Sequence, residues 1–462
     1  MIQDIVNSLD YFIYNTETYL LIFFIIVIFA IHKLVVYKKI KLINLFTYYF
    51  LVSYFIIFIF YLFSSSTSNF LNIDNERLLK DSIFFYGDTF ADGLKVLYSY
   101  IHVFNSEQIN FYSNIYNDNP FLKTIPDSSV MFNIHTVPLV TIFFHITAHL
   151  INIFNIPHPY FIVINIFIYL ILVFKNFNLI KSVSSTYANI FITLSLFSYP
   201  VLFLYQRGNF TAGYTSQLLI MSYILLFKKK KMDIKILTLL IIALSLRPNY
   251  IFLLPIYFID SKLKTQIYEI IKIFFVFIFS NFIFLRLAML FYDEYSFSGM
   301  LVGFKHIRDS HIFMGDGFDS SLFRVIQRLF DPNNLHTYPW YNTTILAGAL
   351  IVIYIFLNRK MNVQLKAFLL TMFSLVISFP IADYHLPVLI LIILLILLKN
   401  KKTKIDYFLI ILILIILLPI PHFINGPPSF SNFLNIAVFL YTFLISLNRK
   451  FYKNLLSRVN DI

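Results

Sequence analysis

The chain has 462 residues, of which 59% are hydrophobic and only 13% are charged, and it contains no cysteine. The charged fraction is about half that of an ordinary soluble domain, which excludes a soluble globular protein. The absence of cysteine excludes disulfides and thiolate metal sites. The net charge of +13 lies in short clusters between apolar runs, a pattern typical of the cytoplasmic loops of a membrane protein and not of nucleic-acid binding.

Apolar runs of membrane-spanning length recur from Tyr19 to Leu447. We therefore predict an all-α polytopic membrane protein with about 11–13 transmembrane helices, since helices satisfy their own backbone hydrogen bonds in lipid. Residues 1–462 form a single integral membrane domain in this prediction. Ten of these helices have the predicted bounds 17–37, 42–63, 159–174, 187–205, 212–227, 265–290, 366–381, 386–398, 405–421 and 431–447.

Basic clusters between the apolar runs set the predicted orientation. Loops rich in lysine and arginine stay on the cytoplasmic side, so the runs between them cross in alternate directions. Two large loops, 64–135 and 291–342, are then outside, and they carry polar and charged residues that short connectors do not need. The clusters assigned to the cytoplasmic side are Lys38–Lys41, Lys228–Lys231, Arg359–Lys360, Lys399–Lys404 and Arg449–Arg458.

Two apolar segments interrupt this alternation. Segment 235–259 has lysines on both sides, and Arg247 and Pro248 stand near its centre. Proline removes a backbone donor and kinks a helix, so we predict a re-entrant hairpin that turns back at Arg247-Pro248. Segment 137–153 carries threonines and histidines within its apolar run, and we predict that it lies in the membrane interface.

Two aspartates, Asp88 and Asp92, stand in the first outer loop, soon after the second span. The Asp-x-x-x-Asp spacing places both carboxylates on one face if the segment is helical. Carboxylates next to membrane spans often mark a functional site. Each is a candidate for a general base, a metal ligand or a helix N-cap.

Two arginines are candidates for anion binding. Arg207 lies at the outer end of a span, against the positive-inside bias, and either pairs with an anion or reaches lipid headgroups. Arg247 interrupts an apolar run, where a charge is costly and is usually kept for a partner or substrate. Beside a broken helix its guanidinium suits a phosphate, and a salt bridge to another buried side chain is the alternative.

A third polar group, Asp383-Tyr384-His385, falls at the outside turn between two short spans. These residues either contact a phosphate or a sugar hydroxyl of a bound ligand, or they have no functional role and are solvated or packed against the protein. We predict no cofactor and no metal site in the chain, and a requirement for a divalent metal stays open.

The order of these motifs resembles the GT-C superfamily of polytopic glycosyltransferases, and within it the bacterial polyprenol-phosphate-mannose-type mannosyltransferases. Gln206-Arg207-Gly208-Asn209 is similar to the family's Glu-Arg-Gly-Asn turn, and Leu246-Arg247-Pro248-Asn249-Tyr250 is similar to its Leu-Lys/Arg-Pro motif. Asp88-Thr89-Phe90-Ala91-Asp92 resembles the aspartate motif of its first outer loop. Ser378-Phe379-Pro380 with Asp383-Tyr384-His385-Leu386 resembles its late Ser-Pro…His-Tyr-Leu segment, with the His and Tyr exchanged.

The resemblance implies an inverting hexosyltransferase that moves a sugar such as mannose from a polyprenyl-phosphate donor to a lipid-linked glycan or glycolipid acceptor. It implies a bacterial cytoplasmic membrane protein whose active site faces outside. The catalytic base would be Asp88 or Asp92, with Asp88 preferred because it lies nearer the preceding span. The residues implied to bind the donor phosphate are Arg207, Arg247 and His385, and those implied to bind substrate are Asn209, Asn249, Tyr250, Asp383 and Tyr384.

Two other classes remain as alternatives. An O-antigen-type polysaccharide polymerase joins lipid-linked oligosaccharides outside the membrane, and its signature is catalytic arginines in two large outer loops without a first-loop aspartate. A flippase or transporter of lipid-linked sugars would show repeated halves and midplane charges on several spans. This chain shows no repeat, and its polar groups lie toward the predicted outer face, so the glycosyltransferase is the preferred prediction.

Overall fold

The computed structural model describes residues 25–26, 28–29, 32–33, 42–64, 137–154, 159–207, 210–258, 263–291, 341–358, 361–377, 383–399, 402–419 and 430–448. Every regular element in this part of the chain is a helix, which confirms the predicted all-α class. The predicted outer loops 64–135 and 291–342 lie outside the described residues, apart from their ends.

The described helices overlap nine of the predicted spans, and most of the predicted span 17–37 lies outside the described residues. In chain order the α-helices are α1 (Leu42–Ser64), α2 (Pro138–Phe154), α3 (Pro159–Lys181), α4 (Ser185–Phe197), α5 (Tyr199–Arg207), α6 (Phe210–Lys229), α7 (Ile234–Leu246), α8 (Leu263–Phe291), α9 (Tyr341–Leu357), α10 (Val363–Ile377), α11 (Leu389–Leu397), α12 (Lys404–Ile416) and α13 (Phe430–Leu447). Two 3₁₀ helices, Pro248–Phe258 after α7 and Asp383–Val388 before α11, complete the described elements.

Three of the described helices are long and apolar enough to cross a membrane. They contain the stretches Tyr160–Lys181 in α3, Phe210–Lys229 in α6 and Lys264–Leu290 in α8, which are 22, 20 and 27 residues long. A fourth is added if α4 and α5 together form one bent span. The remaining apolar helices give stretches of 10–17 residues. The chain thus has helices suited to a membrane, as its composition predicts.

The predicted span 187–205 consists of two helices with a bend between them. α4 and α5 meet at an angle of 44° around Ser198. Pro200 lacks the N–H that would bond the carbonyl oxygen four residues earlier, so a single helix cannot run through this point. Ser198 has an extended backbone between the two helices, and its carbonyl oxygen accepts the first hydrogen bond of α5 from Val201 N at 3.0 Å.

A buried polar network joins α3 to α6. Asn176 donates from Nδ2 to the backbone and side-chain oxygens of Gln217, at 2.9 and 3.0 Å. Tyr214 donates to the backbone oxygen of Asn165 at 3.1 Å. These four residues are buried, and the bonded pairs follow the same order along both helices. α3 and α6 therefore run parallel, held by side-chain bonds of the kind that stabilise helix pairs in membranes.

Two of the basic clusters predicted to be cytoplasmic, Lys228–Lys231 and Lys399–Lys404, have described lysines that lie at the same end of the bundle. Lys228 hydrogen-bonds the hydroxyl of Ser182, just after α3. Close by, Lys402 donates to Tyr187 Oη at 3.3 Å, and Lys399 of the same connection contacts α10 near its start. We call this region, marked by Ser182, Tyr187, Lys228 and Lys402, the lysine end.

The chain turns back at Arg247 and Pro248, where the sequence predicts a break. α7 runs antiparallel to α6 and ends beside Thr211, whose Oγ1 accepts a hydrogen bond from Arg247 at 2.9 Å. The following 3₁₀ helix returns along α6, because Tyr257 near its end donates to the backbone oxygen of Leu219 at 2.9 Å. The segment therefore forms a hairpin whose tip lies at the end of the bundle opposite the lysine end.

Gly213 allows α6 to approach α3 and α5 closely. A Cβ atom at this position would lie 2.8 Å from Leu204 Cδ1 and 3.0 Å from the ring of Tyr169. Both neighbours are fully buried, and the Tyr169 hydroxyl also donates to the backbone oxygen of Ser195 at 3.0 Å. Both side chains therefore lie inside the packed interior, where an added side chain at position 213 would meet them.

We expect Gly213→Val to lower the free energy of unfolding by about 1–3 kcal/mol, the usual cost of overpacking a core. The measurement is the midpoint of thermal unfolding of the purified protein in detergent. Ala349→Val is the matched control, because Ala349 is exposed on α9 and has room for the added methyl groups. Equal midpoints for the two variants would contradict the close packing at Gly213.

Candidate active site

Arg247 is held at the end of the bundle opposite the lysine end. It directly follows α7, and its backbone N–H bonds the carbonyl oxygen of Ala243 at 3.1 Å. Its Nη2 donates to Oγ1 of Thr211, which is 7% exposed and lies in the first turn of α6. From Thr211 to Lys228 the helix advances about 26 Å. The guanidinium is therefore fixed at the tip of the hairpin, far from the lysines.

Tyr250 links this region to His385, which lies 135 residues later in the chain. Tyr250 is fully buried and His385 is 3% exposed. The Tyr250 hydroxyl donates to the backbone oxygen of His385 at 3.2 Å and lies 3.3 Å from its Nδ1. The backbone N–H of Tyr250 bonds the carbonyl oxygen of Arg247 at 3.2 Å, so Tyr250 connects Arg247 with His385. We call the group Thr211, Arg247, Tyr250 and His385 the arginine end.

The contact between Tyr250 and His385 allows two tautomers of the imidazole. If the single hydroxyl proton of Tyr250 points to the backbone carbonyl, the hydroxyl oxygen accepts a hydrogen bond from Nδ1–H, and a neutral His385 offers an acceptor at Nε2. If that proton points to Nδ1, a neutral His385 carries its own proton on Nε2 and donates from there.

The element that carries His385 also approaches the end of α5. The 3₁₀ helix Asp383–Val388 packs against both α5 and α6, and Arg207 is the last residue of α5. The three residues that the resemblance assigns to the donor phosphate, Arg207, Arg247 and His385, therefore come from elements that pack together. They belong to three motifs that are well separated in the sequence.

Several predicted site residues lie beyond what the structure describes. Asp88, Asp92 and Asn209 fall outside the described residues, and only the backbone is described for Arg207, Asp383 and Tyr384. Asn249 lies between Arg247 and Tyr250 in the sequence, and it is partly buried. The approach of the aspartates to the arginine end therefore stays a prediction.

Sequence analysis missed Thr211 and the contact of Tyr250 with His385. Thr211 is a hydroxyl residue at the start of an apolar helix, four residues after Arg207, and this position is the one signal that could have identified it. Tyr250 is predicted to bind substrate, which stays a prediction, and in the structure its hydroxyl contacts His385. Both residues hold other side chains in place: Thr211 positions Arg247, and Tyr250 positions the imidazole.

A second histidine group lies on α2. His145 and His149 are stacked, with ring centroids 6.4 Å apart and planes 7° from parallel. The prediction of no metal site overlooked this His-x-x-x-His spacing, which places two histidines on one face of a helix. Among the described residues no group of three or more His, Cys, Asp or Glu side chains could hold a metal. Two ligands are fewer than a zinc site uses, and we assign no ion to the pair.

No protein-family model, curated protein or solved structure matches the chain. Its function is therefore inferred from the arrangement of its own residues. The arginine end offers a guanidinium, which suits phosphate oxygens, and the amino-terminal turn of α6, where the helix dipole favours an anion. An imidazole and a threonine hydroxyl add hydrogen-bonding groups. Together they suit a ligand that carries both a phosphate and hydroxyl groups.

Proposed function

We propose that this chain is a polytopic membrane glycosyltransferase of the GT-C type. It would move a hexose such as mannose from a polyprenyl-phosphate donor to a lipid-linked glycan or glycolipid acceptor. The observation that carries the proposal is that Arg247, His385 and the end of α5 come together at one end of the bundle. Three distant motifs of the resemblance would thereby serve one donor, a polyprenyl-phosphate sugar.

The proposed chemistry is a displacement at the anomeric carbon of the sugar. The acceptor hydroxyl attacks this carbon while Asp88 or Asp92 takes its proton. The bond from the anomeric carbon to the phosphate oxygen breaks, and the polyprenyl phosphate leaves with the bonding electrons. Arg247, together with Arg207 from α5, would stabilise the negative charge that develops on this phosphate. Attack on the face opposite the leaving group inverts the anomeric configuration.

The hydrogen bonds of His385 leave two roles open. With its proton on Nδ1, a neutral His385 would accept a hydrogen bond from a sugar hydroxyl at Nε2, and with its proton on Nε2 it would donate one to the phosphate. In the first case, binding of the phosphate would fall mainly to the arginines, which stay charged at all physiological pH values.

The proposed membrane arrangement has the lysine end in the cytoplasm and the arginine end outside a bacterial cytoplasmic membrane. The positive-inside rule supports this direction, since described lysines of two connections, α6–α7 and α11–α12, lie at the lysine end. The advance of about 26 Å along α6 is close to the roughly 30 Å of a hydrocarbon core. About 11–13 helices would cross or enter the membrane, and the polyprenyl tail would lie against their apolar faces.

The test is turnover of a panel of radiolabelled polyprenyl-phosphate sugars in membranes that contain the protein, with membranes lacking it as the control. We expect one donor to be consumed, with release of polyprenyl phosphate and transfer of the label to a lipid-linked product. Growth of oligosaccharide chains without use of any monosaccharide donor would favour the polymerase. Movement of a lipid-linked sugar across the membrane without a covalent change would favour the flippase.

Thr211→Val is expected to lower the rate of sugar transfer about 2–10-fold, because valine keeps the shape of threonine but removes the acceptor that holds Arg247 Nη2. This range corresponds to the 0.5–1.5 kcal/mol of a typical hydrogen bond. The measurement is the initial rate at saturating donor. Thr211→Ser keeps the hydroxyl and is expected to retain most of the activity. Equal losses in both variants would mean that Thr211 acts through packing alone.

A further inference from the structure

The bend between α4 and α5 leaves backbone carbonyl groups without their helical partners. In a continuous helix the carbonyl oxygen of Leu196 would accept from residue 200, which is a proline and has no N–H. The carbonyl oxygen of Phe197 would accept from Val201, whose N–H bonds Ser198 instead. Backbone groups inside a membrane need another partner when they lose the helical one. For Phe197 this partner comes from α1.

α1 connects the bend to α12. The Tyr54 hydroxyl of α1 donates to the backbone oxygen of Phe197 at 3.2 Å. Five residues earlier on α1, the buried Tyr49 donates to the backbone oxygen of Leu417, directly after α12, at 2.9 Å. The Ser198 hydroxyl is fully buried and forms no hydrogen bond within the described residues. The hydrogen bond from Tyr54 therefore supports the bend from outside α4 and α5.

The angle of the bend determines where Arg207 lies. α5 has nine residues and ends at Arg207, so about 12 Å of helix separates Tyr199 at its start from Arg207. A change of about 5° at the bend would therefore move the backbone of Arg207 by about 1 Å. A misplacement of about 1 Å in a group that acts on the reacting atoms can lower a rate by about 10²-fold. The support of the bend thus has a route to the reaction.

We propose that Tyr54 is a positioning residue of the sugar transfer. Its hydrogen bond to Phe197 holds α5 at the observed angle, and α5 holds Arg207 beside the 3₁₀ helix that carries His385. Tyr54 lies at the opposite end of α5 from Arg207, so it acts through the helix. The inference rests on the proposed glycosyltransferase function, because Tyr54 affects the reaction only through Arg207.

The experiment is a double-mutant cycle of Tyr54→Phe with Arg207→Gln. It measures kcat/KM for the radiolabelled donor that the wild-type protein consumes. Tyr54→Phe removes only the hydroxyl and is expected to lower kcat/KM about 2–10-fold, which corresponds to the 0.5–1.5 kcal/mol of one hydrogen bond. In the Arg207→Gln background the same change should cost less than about twofold, because the group that it positions is gone.

Tyr48→Phe is the matched control. Tyr48 is 60% exposed on the same helix and lies about 120° around α1 from Tyr54. Removing its hydroxyl should leave kcat/KM unchanged in both backgrounds. The midpoint of thermal unfolding is recorded for every variant, so that a loss of folded protein is separated from a loss of rate.

Two results would overturn the inference while the proposed function stands. Equal kcat/KM for Tyr54→Phe and Tyr48→Phe would mean that the hydrogen bond at the bend does not affect the reaction. The same loss from Tyr54→Phe with and without Arg207 would mean that Tyr54 acts through stability or another group. A wild-type protein that consumes no donor would overturn the proposed function and this inference together.

Discussion

Arg247→Gln is expected to lower the rate of sugar transfer by about 10²–10³-fold, the usual loss when one group that stabilises the charge of a transition state is removed. Arg247 is the one cation of the arginine end whose side chain the structure describes, and Thr211 fixes its direction. Glutamine keeps hydrogen-bonding capacity but has no charge to offer the leaving phosphate. The measurement is kcat and KM with the donor that the wild-type protein consumes.

Two further variants identify the cause of a loss at Arg247. Arg247→Lys should retain part of the activity, because lysine supplies the charge without the planar pair of donors. Lys402→Gln makes the same kind of change at the lysine end, where Lys402 contacts Tyr187, and should transfer sugar at the wild-type rate. If Arg247→Gln were as active as Lys402→Gln, Arg247 would have no part in the reaction.

Asp88→Asn and Asp92→Asn are expected to differ sharply from each other. The substitution at the catalytic base should reduce transfer by about 10²–10⁴-fold, which is the range for general base catalysis. The other substitution should leave most of the activity. Asparagine has nearly the same shape as aspartate but cannot take the proton of the acceptor hydroxyl. The measurement is the rate of label transfer at saturating donor and acceptor, and we expect Asp88 to be the base.

Asp233→Asn is the matched control for the aspartates. Asp233 lies between α6 and α7 at the lysine end, where its carboxylate caps α7. A hydrogen bond from the Lys229 side chain holds the pKa of Asp233 below its usual range. This carboxylate is therefore ionised at neutral pH, and it is already hydrogen-bonded to Lys229 and to the backbone N–H of Ile236. Its loss should leave transfer unchanged. Full activity in both Asp88→Asn and Asp92→Asn would remove the aspartates from the mechanism.

The parts of the fold that local chemistry determines could be predicted from the sequence. The break at Arg247-Pro248 follows from a proline and a charge inside an apolar run, and the structure has α7 ending there. The same principle applied to Pro200 would have predicted the 44° bend at Ser198. The bend was overlooked because the hydrophobic run continues through Pro200. A prediction based on hydrophobicity alone does not take into account that proline lacks a backbone N–H.

The contacts of the candidate site could be predicted only in part. The order of motifs assigns Arg247 and His385 to one ligand, but no local pattern pairs Tyr250 with an imidazole 135 residues away. That pair depends on how the 3₁₀ helix after α7 and the 3₁₀ helix before α11 both pack against α10. The bond from Arg247 to Thr211 likewise depends on the antiparallel pairing of α6 and α7.

The polar network between α3 and α6 has a consequence for the synthesis of the chain. Asn176 is bonded to Gln217, 41 residues later, and Asn165 accepts from Tyr214, 49 residues later. At about 5–20 residues per second, each partner is made roughly 2–10 seconds after the asparagine that it bonds. During that interval α3 is complete while its interhelical bonds cannot yet exist. The smallest stretch of chain that satisfies this network is therefore α3 to α6 taken together, and not any one of these helices by itself.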